Sequence, residues 1–209
     1  MKFPPLPQKV RLIAQESSNS DSKTILITGV FHGEEPQDTY IIERYLNENK
    51  FDKLKNNIYF IPCLNPWGME RGIRTNKNGV DLNRNYPTRN WQLTPKDENY
   101  SGSSPASEAE TNFMTKLLEI LNPDVILTLH APLKCVNFDG PAHEIAKQIA
   151  HFCNYPVIED LNYPTPGSFG TYCGIERNIP TITLEFDDKE ANESIYRKAK
   201  KVFNYLADF

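Results

Sequence analysis

Two histidines and two glutamates stand where predicted strands end. His32 and Glu35 come just after the first apolar run of the chain. His130 ends a second apolar run, and Glu185 ends the last one. Ligands of open α/β sheets bind at the carboxyl ends of strands, so side chains far apart in sequence can converge there. Two histidines and a glutamate at such an edge are a known zinc-binding set, because three protein ligands leave a fourth position open for water.

We therefore expect His32, Glu35 and His130 to hold one Zn²⁺ ion. A bound zinc lowers the pKa of its water to about 7, and a nearby carboxylate can take the released proton. Glu185 is the candidate for that base. Each residue alone is a weak signal, because a single histidine at a strand end is more often a hydrogen-bonded structural residue. The joint pattern, which flanks a long polar loop, favours a catalytic site.

The elements that must position these residues follow from the apolar pattern. Apolar runs bounded by turn residues alternate with segments of helical period, which is typical of an α/β fold. We expect a mixed, mostly parallel central sheet with helices on both faces. The length favours a single domain over residues 1–209. The predicted strands cover 23–30, 57–64, 125–130 and 181–186, and the predicted helices cover 37–47, 107–121, 143–154 and 190–206.

Residues 65–105 do not follow this alternation. The segment is rich in Asn, Gly, Pro and Arg and has almost no periodicity. A loop of this length inside a compact domain is either functional or disordered. Its dense polar content favours a functional loop.

Composition argues against several classes of protein. Lys and Arg count 23 against 27 Asp and Glu, a net charge of −4, whereas a general nucleic-acid binder is basic. No run approaches the roughly 18 consecutive apolar residues of a membrane span. Residues 1–15 hold no signal-peptide core, so we expect a cytoplasmic protein. The four cysteines form no CxxC pair and are expected to be buried free thiols, while the oligomeric state stays open.

The order of motifs along the chain resembles the zinc carboxypeptidase family. The series comprises HxxE at 32–35, NPxG at 65–68, RxNxxGVDLNRNxP at 74–87, a histidine after a strand and a glutamate at a strand end. Its most specific part is GVDLNRNYP. Further segments resemble the bacterial murein peptide amidases, which cut the bond between γ-D-glutamate and diaminopimelate; these segments are Asn90-Trp91, SEAET at 107–111, LHAPL at 129–133 and YPTPGSFG at 163–170. The resemblance covers about residues 25–190.

The resemblance implies a role for each matching residue around the metal. His32, Glu35 and His130 would be the zinc ligands. Asp81 would orient His32, a contact that fixes the tautomer of an imidazole. Glu185 would act first as general base and then as general acid.

The same resemblance implies how a substrate would be held. Arg74 would polarise the scissile carbonyl and stabilise the developing oxyanion. Arg71 is the nearby alternative, and Arg74 is preferred because it lies in the RxN element. Asn83 and Arg84 would bind the free carboxylate of the leaving residue, since the planar fork of arginine suits a carboxylate. Tyr163 would close over the substrate.

The resulting hypothesis is a zinc metallopeptidase that hydrolyses the γ-D-glutamyl–diaminopimelate amide of short peptides with a free carboxylate. One alternative is a deacylase of N-acyl amino acids, similar to aspartoacylase and succinylglutamate desuccinylase; another is a general metallocarboxypeptidase. A third is a binding module without activity. The segments GVDLNRNYP and TPGSFG favour the peptidase. No single residue stands out as an anchor for the distal amino and carboxyl groups of diaminopimelate.

Overall fold

The computed structural model describes residues 3–51 and 54–209. Within these residues one sheet of seven strands forms the centre of the fold. The strands are β1 Ile13–Gln15, β2 Thr24–Thr28, β3 Asn57–Ile61, β4 Val125–His130, β5 Cys135–Asp139, β6 Val157–Ile158 and β7 Thr181–Glu185. Their spatial order is β1-β3-β2-β4-β7-β5-β6.

The sheet is mixed and mostly parallel. Strands β3, β2, β4 and β7 run parallel to one another, and β6 is parallel to β5. Strand β1 is antiparallel to β3, and β5 is antiparallel to β7. This arrangement confirms the predicted fold class.

Helices cover both faces of the sheet. They are α1 Gln37–Glu48, the short α2 Pro66–Met69, α3 Ala109–Leu121, α4 His143–Cys153 and α5 Asn192–Asp208. Because successive strand residues point to opposite faces, Ile25 and Ile27 pack with α1, α4 and α5 on one side, whereas Leu26 packs with α3 on the other. A 3₁₀ turn covers Leu82–Arg84, and a π-helical turn covers Thr171–Ile175.

All four predicted strands and all four predicted helices are present, with ends shifted by a few residues. Strands β1, β5 and β6 were not predicted. Two of them are too short to show a period, and β5 carries Asn137 and Asp139, which are rare in strands. The four cysteines are buried free thiols, as expected. No helix in the described part of the chain has both the length and the apolar character needed to cross a membrane.

The long polar loop is ordered by side chains that bond to backbone. Asn65 accepts a hydrogen bond from the Gly68 amide at 3.0 Å and donates to the carbonyls of Phe31 and Arg74, both at 3.2 Å. A Cβ atom at Gly33 would lie 2.1 Å from the Gly68 carbonyl carbon, so only glycine permits this approach. The loop is thereby fixed against the segment that follows β2.

Candidate active site

Three predicted metal ligands meet at the carboxyl ends of β2 and β4. His32 and Glu35 lie in the segment after β2, and His130 is the last residue of β4. Nδ1 of His32 lies 3.0 Å from Oε1 of Glu35, and Nδ1 of His130 lies 3.0 Å from Oε2 of Glu35. One ligand atom from each residue lies within 4.8 Å of the others, and all three side chains are buried.

This group fits a single zinc ion. Tetrahedral zinc holds neighbouring ligand atoms roughly 3.3 Å apart, because each lies about 2.0–2.1 Å from the metal. The 3.0 Å separations between the glutamate oxygens and the two imidazole nitrogens are close to that spacing. Two imidazoles and a carboxylate are also the donor types that zinc accepts in catalytic sites.

Asp81 contacts the ring nitrogen of His32 that does not face Glu35, and so orients the ring. Its Oδ1 accepts from Nε2 of His32 at 3.1 Å and from the backbone amide of Asn83 at 2.8 Å. Asp81 is fully buried, and this contact leaves Nδ1 of His32 facing Glu35. The predicted partner of His32 is therefore in hydrogen-bond contact with it.

The charges of this cluster shift the pKa values of its members. Burial lowers the pKa of His32, but the charges of Asp81 and Glu35 outweigh it and raise that pKa to about 9. Burial raises the pKa of Glu35, but His130 and His32 outweigh it and lower that pKa to about 2. Glu35 is thus ionised at neutral pH and suited to a cation, while binding of a metal requires the neutral imidazole and competes with protons.

Arg74 enters the site, whereas Arg71 stays on the surface. Nε and Nη2 of Arg74 donate to Oδ2 of Asp81 at 3.0 and 2.8 Å, and Nη1 lies 3.6 Å from Oε1 of Glu34. Arg71 is exposed, and its guanidinium lies 4.1 Å from the centre of the Trp67 ring. Of the two arginines considered, the structure places only Arg74 beside the metal ligands.

The pair Asn83 and Arg84 lies on the 3₁₀ turn that Asp81 caps. Oδ1 of Asn83 accepts a hydrogen bond from the Phe169 amide at 2.9 Å. This bond uses the oxygen of the side chain and leaves its N–H groups available to a ligand. Arg84 is 8% exposed, and among the described residues its guanidinium donates only to the Asn83 carbonyl, at 2.8 Å. Arg84 therefore has donors left for an anion in the cavity.

Glu185 ends β7 directly beside His130, because these two residues are register partners of adjacent parallel strands. It is 7% exposed, and its Oε2 lies 3.4 Å from the Leu133 amide. Burial raises the pKa of Glu185, although the neighbouring His130 opposes the shift. A carboxylate with a raised pKa suits proton transfer near neutral pH.

These side chains line one cavity of about 290 Å³. Of the predicted residues, only Asp81 lies behind its wall, and Tyr163 stands at the rim with 47% of its surface exposed. Other parts of the cavity wall are formed by residues that we did not predict as site residues, chiefly Asn137, Asp139 and Gly170. The signal for two of them was the alternation of Cys135, Asn137 and Asp139, which has the period of a strand.

Comparison with known proteins gives one family and one group of relatives. The profile described as zinc carboxypeptidase matches residues 7–142. Murein peptide amidase A of Vibrio campbellii is 33% identical over 189 residues, which cover 84% of this chain and 74% of that protein. Murein peptide amidase A of Escherichia coli K12 is 34% identical over 149 residues, which cover 65% of this chain and 60% of that protein.

Solved structures agree with this grouping. The murein-tripeptide amidase of Escherichia coli O157 superimposes with a TM-score of 0.81 at 26% identity, over 100% of this chain and 94% of that one. The carboxypeptidase A of Helicoverpa armigera superimposes with a TM-score of 0.73 at 15% identity, over 95% of this chain and 68% of that one, which shows a shared fold. The predicted resemblance is confirmed, and the chain belongs to the zinc carboxypeptidase family of hydrolases.

Proposed function

We propose that this protein is a zinc-dependent amidase that hydrolyses the γ-D-glutamyl–diaminopimelate bond of short peptidoglycan-derived peptides. The observation that carries the proposal is one cavity that joins a buried three-ligand group, the carboxylate of Glu185 and the guanidinium of Arg84. The names of the relatives from Vibrio campbellii and Escherichia coli support the substrate class.

The metal site of the proposal consists of His32, Glu35 and His130. A zinc ion bound there would supply Lewis acidity toward a carbonyl oxygen and toward water. The contact from Asp81 keeps the ring of His32 in place. Burial of all three side chains limits competition by bulk water for the same positions.

Arg84 and Asn83 bind the free carboxylate of the leaving residue. The guanidinium of Arg84 offers paired N–H donors, and the amide of Asn83 adds another. A carboxylate held at this turn places the neighbouring amide bond near Glu185 and Arg74. The enzyme then removes the residue that carries the carboxylate, and Tyr163 at the rim covers the bound peptide.

Glu185 moves the proton. It takes a proton from the attacking water, whose oxygen forms a bond to the amide carbon while the π electrons move onto the carbonyl oxygen. Arg74, held by Asp81, donates to that oxygen as its charge grows. Glu185 then gives its proton to the amide nitrogen as the C–N bond breaks, which yields a new carboxylate and a free amine.

Hydrolysis of L-Ala-γ-D-Glu-meso-diaminopimelate by zinc-loaded protein tests the proposal. Release of diaminopimelate is followed by mass spectrometry for the wild type, for Glu185→Gln and for Glu119→Gln, a matched control on the exposed side of α3. We expect Glu185→Gln to keep one zinc and to lose roughly 10²- to 10⁴-fold in kcat, while Glu119→Gln retains full activity. An intact tripeptide with zinc bound would contradict the proposal, and turnover of N-acyl amino acids instead would indicate the deacylase.

We also propose that the protein works in the cytoplasm. Four buried cysteines that form no disulfide among the described residues support a reducing compartment. Fractionation of cells that express a tagged copy tests this placement, and a tagged protein found outside the cytoplasmic fraction would contradict it.

A further inference from the structure

The cavity continues beyond Glu185 along the floor formed by β7 and β5. In this antiparallel pair Cys135 is opposite Glu185, and Asp139 is opposite Thr181. Because side chains alternate between the two faces of a strand, Cys135, Asn137 and Asp139 share one face. Asp139 lies four positions along the strand from Cys135, a distance of roughly 13 Å. Asp139 therefore lines the end of the cavity that lies away from Cys135 and Glu185.

Asp139 has no partner for its charge among the described residues. Its carboxylate makes no hydrogen bond or ion pair there, and burial alone raises the pKa of Asp139 to about 6. The group is still mostly ionised at neutral pH. Asp139 is half-buried, and a partly desolvated carboxylate without a partner is unfavourable in a folded protein; a cationic ligand would relieve that cost.

Two glycines keep the space around this carboxylate open. A Cβ atom at Gly170 would lie 2.1 Å from Oδ2 of Asp139, and one at Gly174 would lie 2.3 Å from its Cβ. Any side chain at Gly170 would displace the carboxylate. The backbone at these positions thus accommodates a charged group that no neighbour neutralises.

The carboxylate lies a short way from the anion-binding turn. The Phe169 amide donates to Oδ1 of Asn83, and the next residue, Gly170, is the one that abuts Asp139. The same cavity is therefore lined by the cation of Arg84 and by the anion of Asp139. A ligand that fits both carries a carboxylate and, some atoms away, an ammonium group.

We propose that Asp139 receives the side-chain ammonium of the residue whose free carboxylate is bound by Arg84, and so determines which leaving residue is accepted. This inference rests on the proposed function. Diaminopimelate has such an ammonium at its distal centre, which gives that group the anchor that no motif of the sequence indicated. A leaving residue with a neutral side chain would leave the carboxylate unpaired.

Two tripeptides that differ only at the distal ammonium test the inference. One ends in meso-diaminopimelate and the other in 2-aminopimelate, in which a hydrogen replaces the ammonium. We expect the zinc-loaded wild type to prefer the first by about 10- to 100-fold in kcat/KM, mainly through KM. The ratio of kcat/KM for the two peptides should fall to near one in Asp139→Asn. Asp188→Asn, which removes an exposed carboxylate outside the cavity, should keep the wild-type ratio because water screens that charge.

Several results would overturn the inference. Equal wild-type rates on the two peptides would overturn it while leaving the proposed function intact. A loss of the same size on both peptides in Asp139→Asn would overturn it in the same way. If the zinc-loaded wild type cleaves neither peptide, the proposed function fails, and calorimetric binding of free meso-diaminopimelate against free 2-aminopimelate then decides the role of Asp139. Tighter binding of diaminopimelate that Asp139→Asn abolishes supports the inference, and equal binding contradicts it.

Discussion

Asp81 connects the two halves of the site. One oxygen of its carboxylate bonds Nε2 of His32 at 3.1 Å, and the other receives two hydrogen bonds from Arg74 at 3.0 and 2.8 Å. The nearby positive charges of His32, Arg74 and Arg84 outweigh burial and hold the pKa of Asp81 below its usual range. A single buried anion therefore holds both the candidate metal ligand His32 and Arg74, the arginine proposed to polarise the carbonyl.

Replacing Asp81 by Asn should weaken zinc binding. The amide cannot accept from both His32 and Arg74 as an anion does, so the ring of His32 loses its fixed orientation. We expect a roughly 10- to 100-fold rise in the Kd for zinc, measured by competition with a chelator. Asp188→Asn, an exposed substitution, is the control. Unchanged zinc affinity in Asp81→Asn would show that His32 is oriented by other contacts.

The two neighbouring arginines allow a paired comparison. Arg74→Ala should lower kcat by about 10²- to 10³-fold because the growing charge on the carbonyl oxygen loses its donor. Arg71→Ala should stay within a few-fold of the wild type, since Arg71 lies exposed against Trp67. Steady-state kinetics on protein of measured zinc content checks both. Similar losses in the two variants would contradict the assignment.

The strands that position the candidate site residues could be predicted because of their surroundings. Strands β2, β4 and β7 are covered on both faces and therefore read as nearly continuous apolar runs. His130 and Glu185 could then be placed at strand ends from the sequence. Strand β5 could not, because Asn137 and Asp139 face the cavity, and polar residues that serve a site break the pattern of a buried strand.

The long loop was harder to predict than any strand. Its order depends on hydrogen bonds from side chains to backbone, which leave no periodic signal. Asn85 shows this best: it donates to the carbonyls of Ser101 and Ser104 at 2.7 and 3.1 Å and accepts from the Glu108 amide at 3.2 Å. It belongs to the recognised NRN motif, yet its side chain is directed into the loop.

Asn85→Ala should therefore destabilise the protein. The change leaves the buried Glu108 amide without its acceptor, at about 1–3 kcal/mol for an unsatisfied group, and removes one donor from each of the Ser101 and Ser104 carbonyls. We expect the free energy of unfolding in urea to fall by roughly 2–4 kcal/mol. Asn47→Ala, at an exposed position of α1, should have little effect. Equal stability of the two variants would mean that the loop is held by other contacts.

At the scale of the whole molecule, the unpaired Asp139 lowers the free energy of unfolding. Burial raises the pKa of Asp139 to about 6 in the folded state, whereas an unfolded aspartate titrates near 3.9. The folded state binds the proton more tightly, so this group lowers stability progressively as the pH rises from about 4 through 6. Above that window the penalty is complete, at most about 3 kcal/mol.

Asp139→Asn should accordingly raise the melting temperature at pH 7.5 by a few degrees. The gain should shrink as the pH approaches 4.5, where the native carboxyl is already protonated. Thermal unfolding of both proteins across this pH range, without substrate, measures the difference. A gain that grows on acidification, or none at pH 7.5, would contradict the account of an unpaired, half-buried charge.

The most direct test of the proposed activity identifies the bond that is cut. Zinc-loaded protein is incubated with L-Ala-γ-D-Glu-meso-diaminopimelate in ¹⁸O-labelled water, and the products are sequenced by mass spectrometry. The proposed mechanism predicts free diaminopimelate without label and L-Ala-D-Glu with one ¹⁸O atom in the γ-carboxylate. Label in the carboxylate of alanine, or an unchanged tripeptide, would contradict it.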